Sequence, residues 1–300
     1  MQLPISAKLT PRLEWRDQAG STNLDLVQLA QQESLPDFTV LVTANQVAGR
    51  GRSGRSWQAP ANTSLAISVL LRPRIEDQAD LGKLGWLPLL GGLAMAQNVQ
   101  ALLGDQSQAL AESLSDSEAI PASVPGGNRR IGVKWPNDVL VDERKISGVL
   151  SELVPLNQPG SAASQFGPSV AVVIGAGINL TMSREELPVE TATSLTLEGA
   201  PLPFDLAERL DLVLAGYLER LSFWYRKFTE ARLSALTSGL RQAVIDNCVS
   251  LSREVRAILP GDTEQVGRAV TIDDSGRLVL EVAGKPIPVA AGDIVHLRHN

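Results

Sequence analysis

The spacing of apolar and polar positions changes several times along the chain, and each change predicts an element. Leu13 to Asp17 reads as a short strand. Ser21-Thr22-Asn23 then offers helix-capping side chains ahead of residues 24–30 (LDLVQLA), whose apolar positions have helical spacing. Residues 38–43 (FTVLVT) and 64–72 (SLAISVLLR) are apolar and β-branched, which predicts two core strands. Residues 81–103 predict a buried helix. Pro88, several glycines and polar residues interrupt that run too often for a membrane span.

Residues 104–130 change character. They are rich in Ser, Ala, Gly, Asp and Gln, and read as a long surface insertion. A strand at Ile131 to Trp135, a turn at Pro136-Asn137-Asp138, a strand at 139–141, a turn at 142–144 and a strand at 146–154 follow. After a Pro/Ser/Gly loop over 155–169 comes a strand at 169–174, ending in Gly175-Ala176-Gly177-Ile178-Asn179-Leu180. Residues 204–247 have helical spacing without an internal proline, and predict one or two long helices. From Val249 the pattern becomes short alternating strands, with turns at Asp274-Ser275-Gly276 and Ala283-Gly284. By size this is a small SH3-like barrel. No internal repeat and no helix-turn-helix pair is visible.

Composition narrows the chemistry. The chain has 300 residues, 44% hydrophobic and 20% charged, as expected of a globular protein with a sizeable core. Its net charge of −6 argues against general nucleic-acid binding. The single cysteine, Cys248, excludes an internal disulfide, and no secretory signal is visible, so cytoplasm is the default location. Both histidines, His296 and His299, stand in the last five positions. A Ser-His-Asp triad or a Cys/His metal site in the body of the chain is therefore disfavoured. Chemistry must rest on Lys, Arg, Asp, Glu, Asn, Ser and Thr.

Two clusters carry such residues. Residues 49–57, GRGRSGRSW, spell G-x-G-x-x-G, the dinucleotide fingerprint. That motif must open a helix after a strand. Here RSWQAPANTS and then a new strand follow, so the context fails. Arg50, Arg52 and Arg55 spaced by glycines suit a loop that closes on an anion. Trp57 is either a core residue or an aromatic wall for a purine. The second cluster is VKWPND at 133–138 with KISGVLSE at 145–152. A hairpin brings Lys134 and Lys145 towards the same turn, and strict alternation would put Lys145, Ser147 and Val149 on one face.

Taken in order, STN at 21–23, QVAGRGRSGRSW at 46–57, KWPNDVLVDERKISGVLSEL at 134–153 and GAGINL at 175–180 resemble the biotin–protein ligases. The resemblance runs from about Leu13 to Leu180 and continues more loosely through the C-terminal module. It implies an α+β fold. A mixed-sheet catalytic domain of class II synthetase type would span 1–247, interrupted by the 104–130 insertion, and an SH3-like barrel would span 248–300. It also implies a two-step reaction: biotin and ATP give biotinyl-5′-AMP and pyrophosphate, and a carrier lysine then displaces AMP. Members with repressor activity carry a helix-turn-helix before the first block. Twenty residues precede Ser21 here, so the monofunctional type is expected.

Carried over by motif, Ser21, Thr22, Asn23 and Gln46 would hydrogen-bond the ureido and ring end of biotin. Arg50, Gly51 and Arg52 would close over its carboxyl end, with the loop mobile until ligand binds. Lys145 would stand beside the reacting carboxylate and α-phosphate. Arg52, Arg55 and Lys134 would serve the nucleotide, Trp57 would cover the adenine, and Asn179 would contact its edge. Asp138 either assists the incoming lysine amine or only shapes its turn. The resemblance implies Mg²⁺ on the ATP phosphates without a protein metal cage. The expected partner is the biotin carboxyl carrier protein of acetyl-CoA carboxylase, with no specific DNA binding, no membrane association, and a monomer or homodimer. Arg298 either reaches the nucleotide or lies on the surface, and the surface is favoured. The rivals are a lipoate–protein ligase or octanoyl transferase of the same fold, a DNA-binding regulator, and a dinucleotide-dependent oxidoreductase.

Overall fold

Seven strands form one sheet in the order β1-β2-β5-β9-β8-β7-β6. In this computed structural model, which describes residues 1–114, 129–155, 170–259, 263–290 and 292–297, they are β1 (Leu13–Trp15), β2 (Thr39–Thr43), β5 (Ser64–Leu71), β6 (Ile131–Lys134), β7 (Asp138–Val141), β8 (Arg144–Pro155) and β9 (Val170–Asn179). β1 pairs parallel to β2, and every other neighbour is antiparallel. Between β2 and β5 a two-stranded hairpin, β3 (Gly49–Arg50) with β4 (Ser56–Trp57), rises from the sheet. Helices α1 (Thr22–Gln32), α2 (Gln78–Lys83), α3 (Leu87–Leu114), α4 (Leu206–Glu230) and α5 (Leu240–Asp246) complete this part.

Side-chain alternation divides the sheet into two faces. Val40, Val42, Leu65, Ile67, Val69, Val172, Ile174 and Ile178 join the main core with α3 and α4. Leu41, Leu70, Val154, Ala171 and Val173 point the other way, against Leu26 and Ala30 of α1. Each such leucine contributes about 1.5–3 kcal/mol when fully buried. Continuing along that second face, Ala171 and Val173 are followed by Gly175 and Gly177, and Leu70 is preceded by Ser68 and Ala66. The apolar contact with α1 ends there, and a cleft begins.

The second sheet is antiparallel, in the order β13-β12-β11-β10-β14, from β10 (Glu254–Leu259), β11 (Thr263–Ile272), β12 (Leu278–Val282), β13 (Lys285–Val289) and β14 (Asp293–His296). Its β11–β12 turn is fastened to the rest of the chain by indole donors. Trp86 Nε1 donates to Asp274 O at 2.8 Å, and Trp135 Nε1 donates to Gly276 O at 3.0 Å. Arg253 and His296 meet Glu143 in the β7–β8 turn.

Several expectations need correction. The insertion does not begin at Gly104, because α3 runs on to Leu114. Residues 105–114 contain no proline or glycine and are rich in Ala, Leu, Gln and Glu, which extend a helix. Residues 115–128 of the insertion, and Arg298 and His299, lie outside the described residues. The strand expected to end at Ile174 continues as β9 to Asn179, since GAGIN is extended, paired throughout with β5 and, up to Ile178, with β8. Strict alternation in β8 also fails. The β7–β8 register shifts between Val139 and Leu140, so Lys145 shares its face with Gly148. Val149 instead packs beneath α3 against Gly91.

Candidate active site

The N-terminus of α1 supplies one end of the cleft. Ser21 is at the N-cap but makes no side-chain cap hydrogen bond. The cap comes from Gln46, whose Oε1 accepts from Thr22 N at 2.9 Å and from Thr22 Oγ1 at 3.2 Å. Asn23 is held from two strands. Its Oδ1 accepts from Ser68 Oγ at 2.6 Å, and its Nδ2 donates to Leu150 O at 3.2 Å. A Cβ at Gly175 would fall 2.1 Å from Asn23 Oδ1, so only glycine lets this amide lie against β9. The result is a rigid array of neutral donors and acceptors, with Ser21, Thr22 and Asn23 all buried.

Cations gather at the other end. Lys145 Nζ lies 2.6 Å from Asp138 Oδ1, across the β7–β8 pairing. Asn137 fixes the turn that carries Asp138: its Nδ2 donates to Val149 O at 2.9 Å, and Val149 N donates back to Asn137 O at 2.8 Å. Lys134 pairs with Asp138 at the end of β6. Burial pushes its ammonium below the ordinary lysine range; Lys145 and Arg55 add to this, while Asp138 and Asp293 oppose it. Burial likewise lowers Arg52.

The β3–β4 hairpin lies over the cleft. Ser53 and Gly54 turn it at φ 55° and 73°, and Gly51 N donates to Arg55 O at 2.7 Å. Two ties join it to the start of β14. Arg55 Nη2 donates to both oxygens of Asp293 at 2.7 Å, and Arg52 Nη2 donates to Gly292 O at 3.3 Å. Trp57 lies on the cleft floor. A Cβ at Gly177 would fall 2.5 Å from its Cε2, and one at Gly148 would fall 3.5 Å from its Cζ3. Lys145 Nζ stands 5.7 Å from the ring centroid. The indole Nε1 is buried and has no hydrogen-bond partner.

One cleft of about 120 Å³ thus brings together Ser21, Thr22, Asn23, Gln46, Arg50, Gly51, Arg52, Arg55, Trp57, Asp138 and Lys145. Of the residues singled out by sequence, Lys134 and Asn179 are not in its wall. Asn179 is buried and its Nδ2 donates to Thr193 O at 2.8 Å. Sequence reasoning missed Gly148 and Gly175 in the wall, and Ser68, which holds Thr22 and Asn23 from behind it. Ser68 had a visible signal, a polar residue inside an apolar strand. Asn137, a turn former by sequence, also joins that turn to β8. Among the described residues, no group of three or more His, Cys, Asp or Glu side chains is placed to hold a metal ion. Cys248 is buried, and burial raises its thiol above the ordinary range, which suits packing better than nucleophilic attack.

Comparison with known proteins fits this arrangement. The biotin/lipoate A/B protein ligase family model matches residues 16–179, more than half of the chain, and the biotin protein ligase C-terminal domain model matches residues 251–297. A biotin–[acetyl-CoA-carboxylase] ligase of Mycobacterium tuberculosis is 35% identical over 94% of this chain and 87% of its own length. The bifunctional ligase/repressor of Escherichia coli is 30% identical over 83% of this chain and 63% of its own length. The biotin protein ligase of Aquifex aeolicus, solved in complex with biotin and ATP, superposes with a TM-score of 0.66 at 25% identity, over 96% of this chain and all of that one. The cleft, the first sheet from β2 onward and the second sheet fall within the two matched segments, and the chain belongs to the biotin/lipoate A/B protein ligase family.

Proposed function

We propose that the protein joins biotin to ATP as biotinyl-5′-AMP and passes the biotinyl group to a lysine of a carrier protein. One observation carries this reading: a single cleft has a neutral hydrogen-bonding end, at Ser21 to Asn23 and Gln46, and a cationic end, at Arg52, Arg55 and Lys145. A neutral ureido ring suits the first. A carboxylate meeting a triphosphate suits the second, because two anions approach only where fixed cations offset their repulsion.

In the first step a biotin carboxylate oxygen attacks the α-phosphorus, a P–O bond forms, and pyrophosphate leaves. Lys145 and Arg52 stabilise the charge on the crowded phosphate. In the second step the neutral carrier amine attacks the acyl carbon, AMP leaves, and the amine gives up a proton. Asp138 stands where it can orient the incoming ammonium, or fix Lys145, or do both in turn. Arg50 and Gly51 cover the carboxyl end. Trp57 and Arg55 serve the nucleotide, with Lys134 adding positive potential from behind the turn. Asn179 is assigned a supporting role rather than an adenine contact. Mg²⁺ is expected to enter on the ATP phosphates, where it offsets their charge.

The carrier is proposed to be the biotin carboxyl carrier protein of acetyl-CoA carboxylase, the carboxylase that appears in the mycobacterial relative's name. A cytoplasmic monomer or homodimer without specific DNA binding, divided near residue 247, completes the proposal. Among the described residues no helix is long and apolar enough to cross a membrane. The test is biotin-dependent exchange of pyrophosphate into ATP, followed by labelling of a carrier domain, with lipoate and octanoate alongside. Labelling with lipoate or octanoate but not biotin would overturn the reading in favour of the other ligases of this fold.

A further inference from the structure

Glu198 is buried, with 3% of its surface exposed, in the segment between β9 and α4. It lines no part of the cleft, yet its carboxylate is engaged on both sides. Arg144 Nη2 lies 2.9 Å from Oε1 and 3.1 Å from Oε2, and Thr193 Oγ1 donates to Oε1 at 2.5 Å. Both partners lead to Lys145. Arg144 is its neighbour in the chain. Thr193 belongs to a short strap that grips the Lys145 backbone from both sides: Lys145 N donates to Thr191 O at 2.7 Å, and Thr193 N donates to Lys145 O at 2.8 Å. Asn179 holds the same strap through Thr193 O and accepts from Leu195 N at 3.1 Å.

A lysine side chain has four rotatable bonds, so its ammonium is placed only as well as its backbone is. Lys145 lies next to the register shift in β7–β8 and just before Ser147, the first β8 residue paired with β9. The strap takes the place of β9 beside Lys145, as an isolated parallel bridge between Lys145 and Ala192. We propose that Glu198 is a positioning residue for Lys145, acting through Arg144 on one side and through Thr193 on the other. This rests on the reading of Lys145 as the cation at the reacting phosphate.

The test is a double-mutant cycle on pyrophosphate exchange in the full chain. Glu198→Gln keeps the shape and removes the charge that Arg144 needs. Its kcat is expected to fall about tenfold or more, with KM for biotin near wild type, and Glu198→Asp should recover part of the rate. In a Lys145→Ala background, Glu198→Gln should cost less than about twofold, because a residue acting only through Lys145 has nothing left to position. Equal losses in both backgrounds, or a wild-type kcat for Glu198→Gln, would overturn the inference while leaving the role of Lys145 intact. A wild-type rate for Lys145→Ala alone would overturn both. Should Glu198→Gln fail to fold, Thr193→Val removes one hydroxyl from the same chain of contacts and is subject to the same cycle.

Discussion

Lys145 Nζ and Asp138 Oδ1 stand 2.6 Å apart, joining the start of β8 to the start of β7. Both groups are partly exposed, so the pair itself contributes only about 0–1 kcal/mol to folding. Its value is placement: the carboxylate holds an ammonium over the cleft beside Trp57. Lys145→Ala is expected to lower pyrophosphate exchange by about 10²–10³-fold, the usual loss for a preorganised charge at a reacting oxyanion. Thermal stability should stay within about 1 kcal/mol of wild type. A rapid-quench or exchange assay beside a melting curve separates the two effects, and an unchanged exchange rate would rule out the role.

Arg50 and Arg52 are two residues apart but differently placed. Arg50 is exposed at the hairpin edge, whereas Arg52 is half-buried over the cleft and fastened to Gly292 O. A desolvated cation interacts more strongly with a bound anion than an exposed one. Arg52→Ala should therefore release biotinyl-5′-AMP faster than Arg50→Ala, by about tenfold or more. Filter-binding retention of radiolabelled adenylate measures this directly, and equal release from the two variants would count against the distinction.

Much of the fold was legible because burial enforces period. The strands at 39–43 and 64–71 and the helix over 206–230 follow directly from their apolar spacing. The site was legible as blocks, since Ser21 to Asn23, Gln46 to Trp57 and Asp138 to Lys145 do meet in one cleft. Details that depend on contacts distant in sequence were not legible. Nothing local says that Gln46 caps α1, that a register shift turns Lys145 away from Val149, or that Gly175 and Gly177 are strand residues making room for Asn23 and Trp57. Glycine breaks local patterns for its neighbours' sake, and those neighbours are known only in three dimensions.

The hairpin over the cleft is held by the second sheet. Arg55 and Asp293 are 238 residues apart in sequence and joined by two 2.7 Å hydrogen bonds. Asp293→Asn removes the charge at the far end of this tie. As a partly exposed pair it contributes about 1 kcal/mol at most, so the melting temperature should change little. Trypsin should nevertheless cut faster after Arg52 or Arg55 in the ligand-free variant. Biotin with ATP should restore protection if the loop closes on the adenylate. Identical cleavage of variant and wild type would show that the tie does not hold the loop.

His296 links the second sheet to the β7–β8 turn, with Nε2 at 3.0 Å from Ser250 Oγ and Nδ1 at 3.4 Å from Glu143 Oε2. Burial pushes the imidazole below the ordinary histidine value, with Lys134 and Arg253 adding to the shift and Glu143 opposing it. In the window between the folded and the ordinary value, the unfolded chain binds more protons, so stability rises with pH there. The contribution is full above the ordinary value and is lost as pH falls through the folded one. Glu143 adds a loss at lower pH, because Arg253 and His296 outweigh its burial and hold it below the usual carboxylate range. Melting temperature should fall from about pH 7 to about pH 5, and His296→Gln should flatten the upper part of that decline. A parallel decline in the variant would place the acid-sensitive group elsewhere.

Trp57 packs directly on Gly177, and this contact joins the hairpin to the floor of the cleft. A methyl group at Gly177 cannot coexist with the ring where it lies, since 2.5 Å is inside van der Waals contact. β9 is paired on both sides and buried, so the strand will not yield, and the ring must move. Moving the ring lifts β4, and with β4 goes β3, which carries Arg50 towards the carboxyl end. Gly177→Ala should therefore raise KM for both biotin and ATP by about tenfold, with each tenfold step equal to about 1.4 kcal/mol of binding. The folded core should persist, because the added methyl meets a side chain at the surface of the cleft and not the packed face beneath the sheet. Displacing the ring also frees an indole Nε1 that is buried without a partner, a defect worth about 1–3 kcal/mol, which offsets part of the cost. Steady-state titration of each substrate, with Trp57→Phe as a smaller ring in the same place, decides the matter. If Gly177→Ala leaves both KM values unchanged, the contact between ring and floor does not govern closure.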